Sequence, residues 1–407
     1  MKNNRLASLT VLLLFALTIL VFQQPAWAAE YRFKGGDEGT ARDIDRRFGG
    51  WVSKGADADR LDQAIRASDS MFGNGPNSWV LQMTLAGHES EARGADLIDN
   101  GNIEEAASAY AQAATFYGIA RFPYIHNAEA QAAYEAHNRC YILSRQLMGI
   151  PVEQVRIPFE EKEIIGNLYM PGVVASAKPV PLVVISGGID TWKNESWPTT
   201  SAMLAEGMAV FAMDMPGTGE SQWLIDPTAG RVYSAALAHL KQRPEIDPDR
   251  LAVNLRSFGG YFAVWLALTD PNVKAAVNFA GPIHHAFSDS HFAGLPEHMI
   301  PTVAAGFGVG REVFEQNQAE GLAQFMAKVV PMSLVRQGVL KPNKQQAPIL
   351  SINGDQDKLV PISDLYVISE YGVRQETWVF PGDVHTGAKN KPVNIPGAAA
   401  WIKKQLD

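Results

Sequence analysis

Leu251-Ala-Val-Asn-Leu-Arg-Ser-Phe-Gly-Gly260 is the most telling stretch of the chain. An apolar run from Leu251 to Leu255 stops at Arg256-Ser257-Phe258, and two glycines lead into the apolar, helix-like segment Tyr261 to Leu268. That reads as a strand, a sharp turn and a helix, with one serine at the apex. Such an elbow lifts a hydroxyl clear of a sheet, where a histidine can take its proton and a backbone N–H can meet the resulting oxyanion. Gly259 and Gly260 suit a turn so tight that a β-carbon would collide. The usual pattern is G-x-S-x-G, and Leu255 stands where its first glycine would be. The motif is partial, so its partners must complete the case.

Working outward, short β-rich runs alternate with helical stretches: Gln154–Phe159, Glu163–Tyr169, Pro181–Ile185, Ala209–Met213, Leu251–Leu255, Ala275–Phe279, Pro348–Ile352 and Glu376–Phe380. This alternation predicts an α/β fold built on a mostly parallel, doubly wound sheet, with ligands at the carboxyl ends of its strands. The segment from Ile283 to Leu340 interrupts the alternation with helical patches and Gly294, Gly306, Gly308 and Gly310. It is read as an inserted lid, about 283–340. Upstream of Gly149-Ile-Pro151 the pattern is helical. Asn102 with Glu105 reads as a capping box, followed by an apolar face through Ala106, Tyr110, Ala114 and Tyr117. Gly118 and Pro123 are expected to end that helix, and Asn127 to cap the next. The expected units are a leader at 1–28, a helical domain at 29–150 and the sheet domain at 151–407.

A serine nucleophile needs a base, and the base needs an acid to hold its tautomer. The strand Pro348–Ile352 is followed by Asn353-Gly-Asp-Gln-Asp357, and the last strand by Pro381-Gly-Asp-Val-His385. The chain order is Ser257, Asp357, His385, each on a loop after a strand, which is the order of α/β-hydrolases. Asp355 competes for the acid's role, but the spacing ahead of Leu359-Val-Pro361 favours Asp357 and leaves Asp355 as a turn residue bonded to its own backbone. Asp383 reads as solvated or as a cap to the His385 loop. An oxyanion hole would draw one N–H from Phe258 and a second from Gly188 or Ile189, in the loop Ser186-Gly-Gly-Ile-Asp190-Thr-Trp-Lys-Asn-Glu195.

Other candidates have blander readings. Asp214-Met-Pro-Gly-Thr-Gly-Glu-Ser221 lacks the lysine and spacing of a phosphate loop, and reads as a structural turn tied by Asp214 and Ser221. His284, His285, Asp289 and His291 match no standard metal spacing, so no metal is expected. One of the first two histidines could face the pocket.

Composition narrows the classes. A hydrophobic fraction of 46% is enough for a full core, and a formal charge of −8 without a basic stripe argues against nucleic acid as a partner. One cysteine, Cys140, rules out an internal disulfide and a cysteine-ligated cluster. Lys2 and Arg5, the apolar run Leu6 to Phe22 and the triplet Ala26-Trp27-Ala28 have the layout of a secretory signal cut after Ala28. The expected mature protein is exported to the periplasm or medium, with no stable membrane association. An uncleaved anchor is the alternative.

With these residues in hand, the chain resembles the FrsA-like and dihydropseudooxynicotine hydrolase-like esterases among the α/β-hydrolases. The resemblance rests on Tyr117-Gly-Ile-Ala-Arg-Phe-Pro123, on the loop Gly187–Glu195, on Asp214–Glu220 and on Asp247-Pro-Asp-Arg250. It implies an α/β-hydrolase fold whose N-terminal α-helical domain caps the site, with Ser257, Asp357 and His385 as the triad and with homodimers. Because some members cleave a carbon–carbon bond beside a ketone with the help of an acid in the Gly-Gly loop, it also implies an accessory role for Asp190. The function expected is an exported serine hydrolase acting on a small-molecule carboxylic ester through an acyl-enzyme, without a cofactor. The rivals are a C–C hydrolase of β-diketone or polyketide-like substrates and a catalytically silent binding protein on a hydrolase scaffold.

Overall fold

The computed structural model describes residues 30–172, 178–292, 295, 299–342 and 345–407. The expected leader therefore lies outside the described residues. Five helices come first: α1 (Glu38–Ser53), α2 (Ala58–Ala67), α3 (Trp79–Asp99), α4 (Ile103–Ala120) and α5 (Ala128–Leu147). Four of them start on a side chain that accepts a free N–H of the first turn: Asp37, Asp57, Ser78 and Asn127. Asn102 makes no such bond, so the expected capping box does not form. Nor does Gly118 end α4, which runs on to Ala120. Instead, a β-carbon at Gly118 would lie 3.0 Å from the His137 ring of α5, so the glycine lets two helices approach.

Eight strands follow: β1 (Val152–Phe159), β2 (Lys162–Tyr169), β3 (Val180–Ser186), β4 (Ala209–Met213), β5 (Ile246–Arg256), β6 (Val273–Phe279), β7 (Ile349–Gly354) and β8 (Gln375–Phe380). They form one sheet in the order β1-β2-β4-β3-β5-β6-β7-β8. β2 runs antiparallel to both of its neighbours, β1 and β4. From β4 to β8 every pairing is parallel, so all these carboxyl ends share one edge. Central strands buried on both faces need unbroken apolar runs, and β3, β4 and the end of β5 supply them.

Helices α6 (Trp197–Ala205), α7 (Gly230–Leu240) and α8 (Gly259–Thr269) connect the middle strands. Short helices α9 (Asp289–Phe292), α10 (Met299–Gly306), α11 (Arg311–Gln316) and α12 (Gln318–Val329) fill the stretch between β6 and β7. Then come α13 (Ser363–Glu370) and α14 (Lys391–Leu406). Side chains of α7, α8, α13 and the β6–β7 segment pack on one face of the sheet. Those of α6, α14 and the helices α4 and α5 pack on the other. A smaller third cluster, around Trp51, Trp79 and Phe122, holds α1 to α4 together. A mostly parallel eight-stranded sheet with helices on both faces and a serine elbow after β5 is the α/β-hydrolase fold.

Candidate active site

Ser257 sits where β5 gives way to α8, with φ of 54°, in the left-handed region. A residue with a β-carbon pays roughly 1–2 kcal/mol for that conformation. Hydrogen bonds hold it there: the Ser257 N–H donates to Phe279 O at 2.7 Å, and the Gly260 N–H donates to Ser257 O at 2.8 Å. Glycine is needed on the helix side, because a β-carbon on Gly259 would stand 2.3 Å from Gly187 O, and one on Gly260 2.2 Å from Asn278 Oδ1. At the strand side it is not. Leu255 pairs in register with Ser186 and Asn278, and its side chain is fully buried in the core on the α8 face. A strand residue with a core to fill needs no glycine, so the departure from G-x-S-x-G leaves the turn intact.

The two other loops converge on this serine. The Ser257 hydroxyl lies 2.8 Å from His385 Nε2, and His385 Nδ1 lies 2.7 Å from Asp357 Oδ2. Asp357 Oδ2 also accepts from Asn353 Nδ2 at 2.9 Å, and its Oδ1 from the N–H groups of Leu359 and Val360 at 2.8 and 3.2 Å. Burial works to raise the Asp357 pKa, but the interaction with His385 and these donors outweigh it and hold the carboxyl below its usual range. An ionised carboxylate can only accept, so Nδ1 carries the proton and Nε2 presents its lone pair to the serine. This arrangement can draw the hydroxyl proton away from Ser257 while the acid steadies the imidazolium that results.

The competing acids are otherwise engaged. Asp355 accepts from the Gly382 N–H at 2.8 Å, so it braces the His385 loop from the neighbouring strand end instead of bonding its own backbone. Asp383 is buried, not solvated. It gathers the N–H groups of Val384, Lys389 and Asn390 and so caps the turn His385–Asn390.

The Gly187–Glu195 loop presses against the elbow from the other side. A β-carbon on Gly188 would come within 2.6 Å of Ser257 Cβ and 3.0 Å of Phe258 N. The Gly188 N–H itself donates to Thr191 O at 3.1 Å. It closes the turn and is spent, so of the two loop donors considered only Ile189 is left. Among the described residues, the N–H groups of Ile189 and Phe258 have no acceptor in the chain.

A scan of family models matches residues 52–405 to the FrsA-like esterases. The chain belongs to the FrsA-like esterase family. Esterase FrsA of Vibrio parahaemolyticus is 27% identical over 346 residues, 83% of this chain and 79% of that one. Hydrolyase PoxO of Penicillium oxalicum is 26% identical over 235 residues, 53% of this chain and 55% of that one. Among solved structures, 2,6-dihydroxy-pseudo-oxynicotine hydrolase superposes with a TM-score of 0.71 at 19% identity, covering 88% of this chain and 95% of its own. AbyA5 superposes at 0.65 and 20% identity, over 89% and 98%. At such identities these two show the shared fold. The family supports an ester-hydrolysing enzyme.

Sequence reasoning missed how this FrsA-like chain ties its N-terminal helices to the Gly187–Glu195 loop. Arg47 of α1 donates to Asp190 Oδ2 at 2.6 Å, and Arg121 donates to Asp190 O at 3.0 Å. Glu195 receives both Arg121 and, at 2.6 Å, Lys54. Burial works to raise the Asp190 pKa, but Arg47 overrides it and holds the acid down at about 2. Asp190 is thus a fixed anion locked to the N-terminal helices. Deeper in, Lys193 is buried with Asp214 at 2.9 Å, Glu220 at 2.5 Å and Tyr134 of α5 at 3.1 Å. The Asp214–Ser221 stretch is a turn, as expected, but Asp214 ties it to this lysine as well as to backbone. The signal that could have found these pairs is the density of Arg, Lys, Asp and Glu in segments that also carry Trp51, Phe122 and Trp192.

Beside the loop lies a cavity of about 200 Å³ walled by Arg47, Trp51, Tyr141, Arg145, Asp190 and Trp197 among others. Ser257 and His385 are not in its wall. Three other histidines have local partners: His284 is bonded to Ser333 at 2.7 Å, His291 to Leu359 O at 3.0 Å and His137 to Ala114 O at 2.6 Å. Burial lowers His137 to about 4, so it is neutral near pH 7.

Proposed function

We propose that this FrsA-like protein is a serine hydrolase of carboxylic esters, with Ser257, His385 and Asp357 as its triad. The observation that carries the reading is the continuous relay from Ser257 Oγ through both nitrogens of His385 to Asp357, at 2.8 and 2.7 Å. In this mechanism Ser257 Oγ forms a bond to the ester carbonyl carbon as its proton passes to His385 Nε2. The N–H groups of Phe258 and Ile189 meet the oxyanion, each worth about 3 kcal/mol of barrier. The C–O bond then breaks, and His385 returns the proton to the leaving alkoxide. Water, deprotonated by the same histidine, attacks the acyl-enzyme and releases the acid and free Ser257.

The reading is tested by intact-mass analysis after treatment with a fluorophosphonate, beside a Ser257→Ala control. One adduct, lost in the control, is expected. A folded wild-type protein that takes no adduct would refute the mechanism. We also propose export, supported by the Lys2-Arg5 charges, the apolar run to Phe22 and the Ala26-Trp27-Ala28 triplet. A recovered protein whose mass starts at Ala29 is the expected result, and one that retains residues 1–28 would rule out cleavage there.

A further inference from the structure

The cavity of about 200 Å³ between the N-terminal helices and the Gly187–Glu195 loop carries chemistry in its wall that the triad does not use. Three of its wall residues, His137, Tyr141 and Arg145, stand four apart on α5. That spacing sets them in a row on one helix face. The Tyr141 ring lies 6.3 Å from the His137 ring and 4.9 Å from the Arg145 guanidinium. Trp197 covers the same guanidinium at 4.5 Å. Trp51 and Phe122, packed edge to face at 5.6 Å, add two more rings to the wall.

Four cations line the cavity: Arg47, Lys54, Arg121 and Arg145. Arg47 is answered by Asp43 and Asp190, and Lys54 and Arg121 share Glu195. Arg145 has no ion pair among the described residues. Its Nη1 reaches only the Met148 sulfur, at 3.8 Å, and its buried Nε bonds to nothing. A guanidinium held between two ring faces keeps its edge for a planar anion, which it can grip with two parallel N–H bonds. At the other end of the row, His137 is buried and gives its Nδ1–H to Ala114 O at 2.6 Å. The ring is neutral near pH 7, so Nε2 is a lone pair, and among the described residues it meets no donor. A cavity of roughly 150 Å³ holds benzene, so this one has room for a single substituted ring.

We infer that this cavity binds a small aromatic carboxylate with a hydroxyl at its far end. The carboxylate sits on Arg145, the ring among Tyr141, Trp197 and Trp51, and the hydroxyl donates to His137 Nε2. Ser257 and His385 are not in the wall, so this ligand is not the ester being cleaved. The loop lines the cavity through Asp190, Thr191, Asn194 and Glu195, and backs onto Ser257 at Gly188. An occupant therefore bears on the loop that carries the Ile189 N–H, and acts as an effector of the site. The binding does not depend on the ester-hydrolase reading; only its effect on rate does.

Calorimetric titration of the full chain with 4-hydroxybenzoate at pH 7 tests the inference, and one saturable site per chain is expected. Benzoate, which lacks the hydroxyl, and 4-hydroxybenzamide, which lacks the charge, should each bind about tenfold more weakly. Arg145→Met should weaken 4-hydroxybenzoate about tenfold and leave 4-hydroxybenzamide as it was, a pattern that general loss of structure would not give. Ala111→Phe fills the cavity from α4 without touching a charge, and should abolish binding of all three in protein whose circular dichroism is native. No saturable binding by wild type, equal affinity for the three compounds, or binding that both variants leave unchanged overturns the inference. Kinetics separate the cavity from the catalytic pocket. Saturating 4-hydroxybenzoate should change kcat for 4-nitrophenyl butyrate and leave KM unchanged. A rise in KM alone, the mark of competition at Ser257, or no change in either constant overturns it too. Absence of hydrolysis in wild type would sink the ester-hydrolase reading, and the titrations would still decide the cavity.

Discussion

Lys193 and Arg256 are both cations drawn into the sheet domain near its carboxyl edge, yet their surroundings are opposite. Lys193 has two carboxylates and a phenol within 3.1 Å. Arg256 has a threonine hydroxyl. A buried charge with its partners in place is cement: remove one member and the others are left uncompensated. A part-exposed charge is still answered by water, so removing it leaves no carboxylate uncompensated. Where each charge finds its counter-charge thus separates a residue that holds the N-terminal helices to the sheet domain from one that the fold can lose.

The largest effect concerns the serine that both regions flank. Ser257→Ala should lower ester hydrolysis by at least about a thousandfold, as measured by initial rates on 4-nitrophenyl butyrate. A variant within tenfold of wild type would move the chemistry elsewhere.

Next comes the cement. Lys193→Met leaves Asp214 and Glu220 facing each other in a dry site, and should cost about 3–5 kcal/mol in urea unfolding at pH 7. A loss under about 1 kcal/mol would show that the cluster adapts and that the contrast with Arg256 is empty.

Asp190 gives an intermediate effect with a defined pH window. Its pKa falls from 3.8 in the unfolded chain to about 2 in the fold, which corresponds to about 2 kcal/mol. Because the folded value is the lower one, that stability is present in full above pH 4 and fades as pH drops toward 2. The loss of stability between pH 6 and pH 2.5 should therefore be smaller in Asp190→Asn than in wild type. Equal losses would mean that Arg47 does not hold the acid as described.

The smallest effect sharpens the comparison most. Arg256→Met removes a charge that no carboxylate answers, so its cost in urea unfolding should stay under about 1 kcal/mol. A loss as large as that of Lys193→Met would make Arg256 a structural post.

The sheet and the Ser257, His385 and Asp357 loops were legible in the sequence because their signals are local. Apolar runs of strand length mark β3 to β8, and each loop follows its strand by a few residues. Leu255 weakened the motif on paper only, since the turn demands glycine at 259 and 260, where backbone and side chain crowd in. The choice between Gly188 and Ile189 stayed open because a glycine pair says that a loop is tight, not which N–H the turn consumes. The Asn102 cap failed for a related reason: the right residue pair does not guarantee the backbone angle that would aim the side chain. The pairs Arg47–Asp190 and Arg121–Glu195 span 143 and 74 residues, and charge density beside tryptophans marks such segments without saying which residue pairs with which.

Those same pairs bear on how such a protein can change over time. The N-terminal helices grip the Gly187–Glu195 loop through Arg47, Lys54, Arg121 and Tyr134. The loop in turn backs onto the serine so closely that only glycine fits at 188. Exchanging these helices for foreign ones would therefore disturb the loop's register as well as the packing around it. Helices and loop would have to be transplanted together.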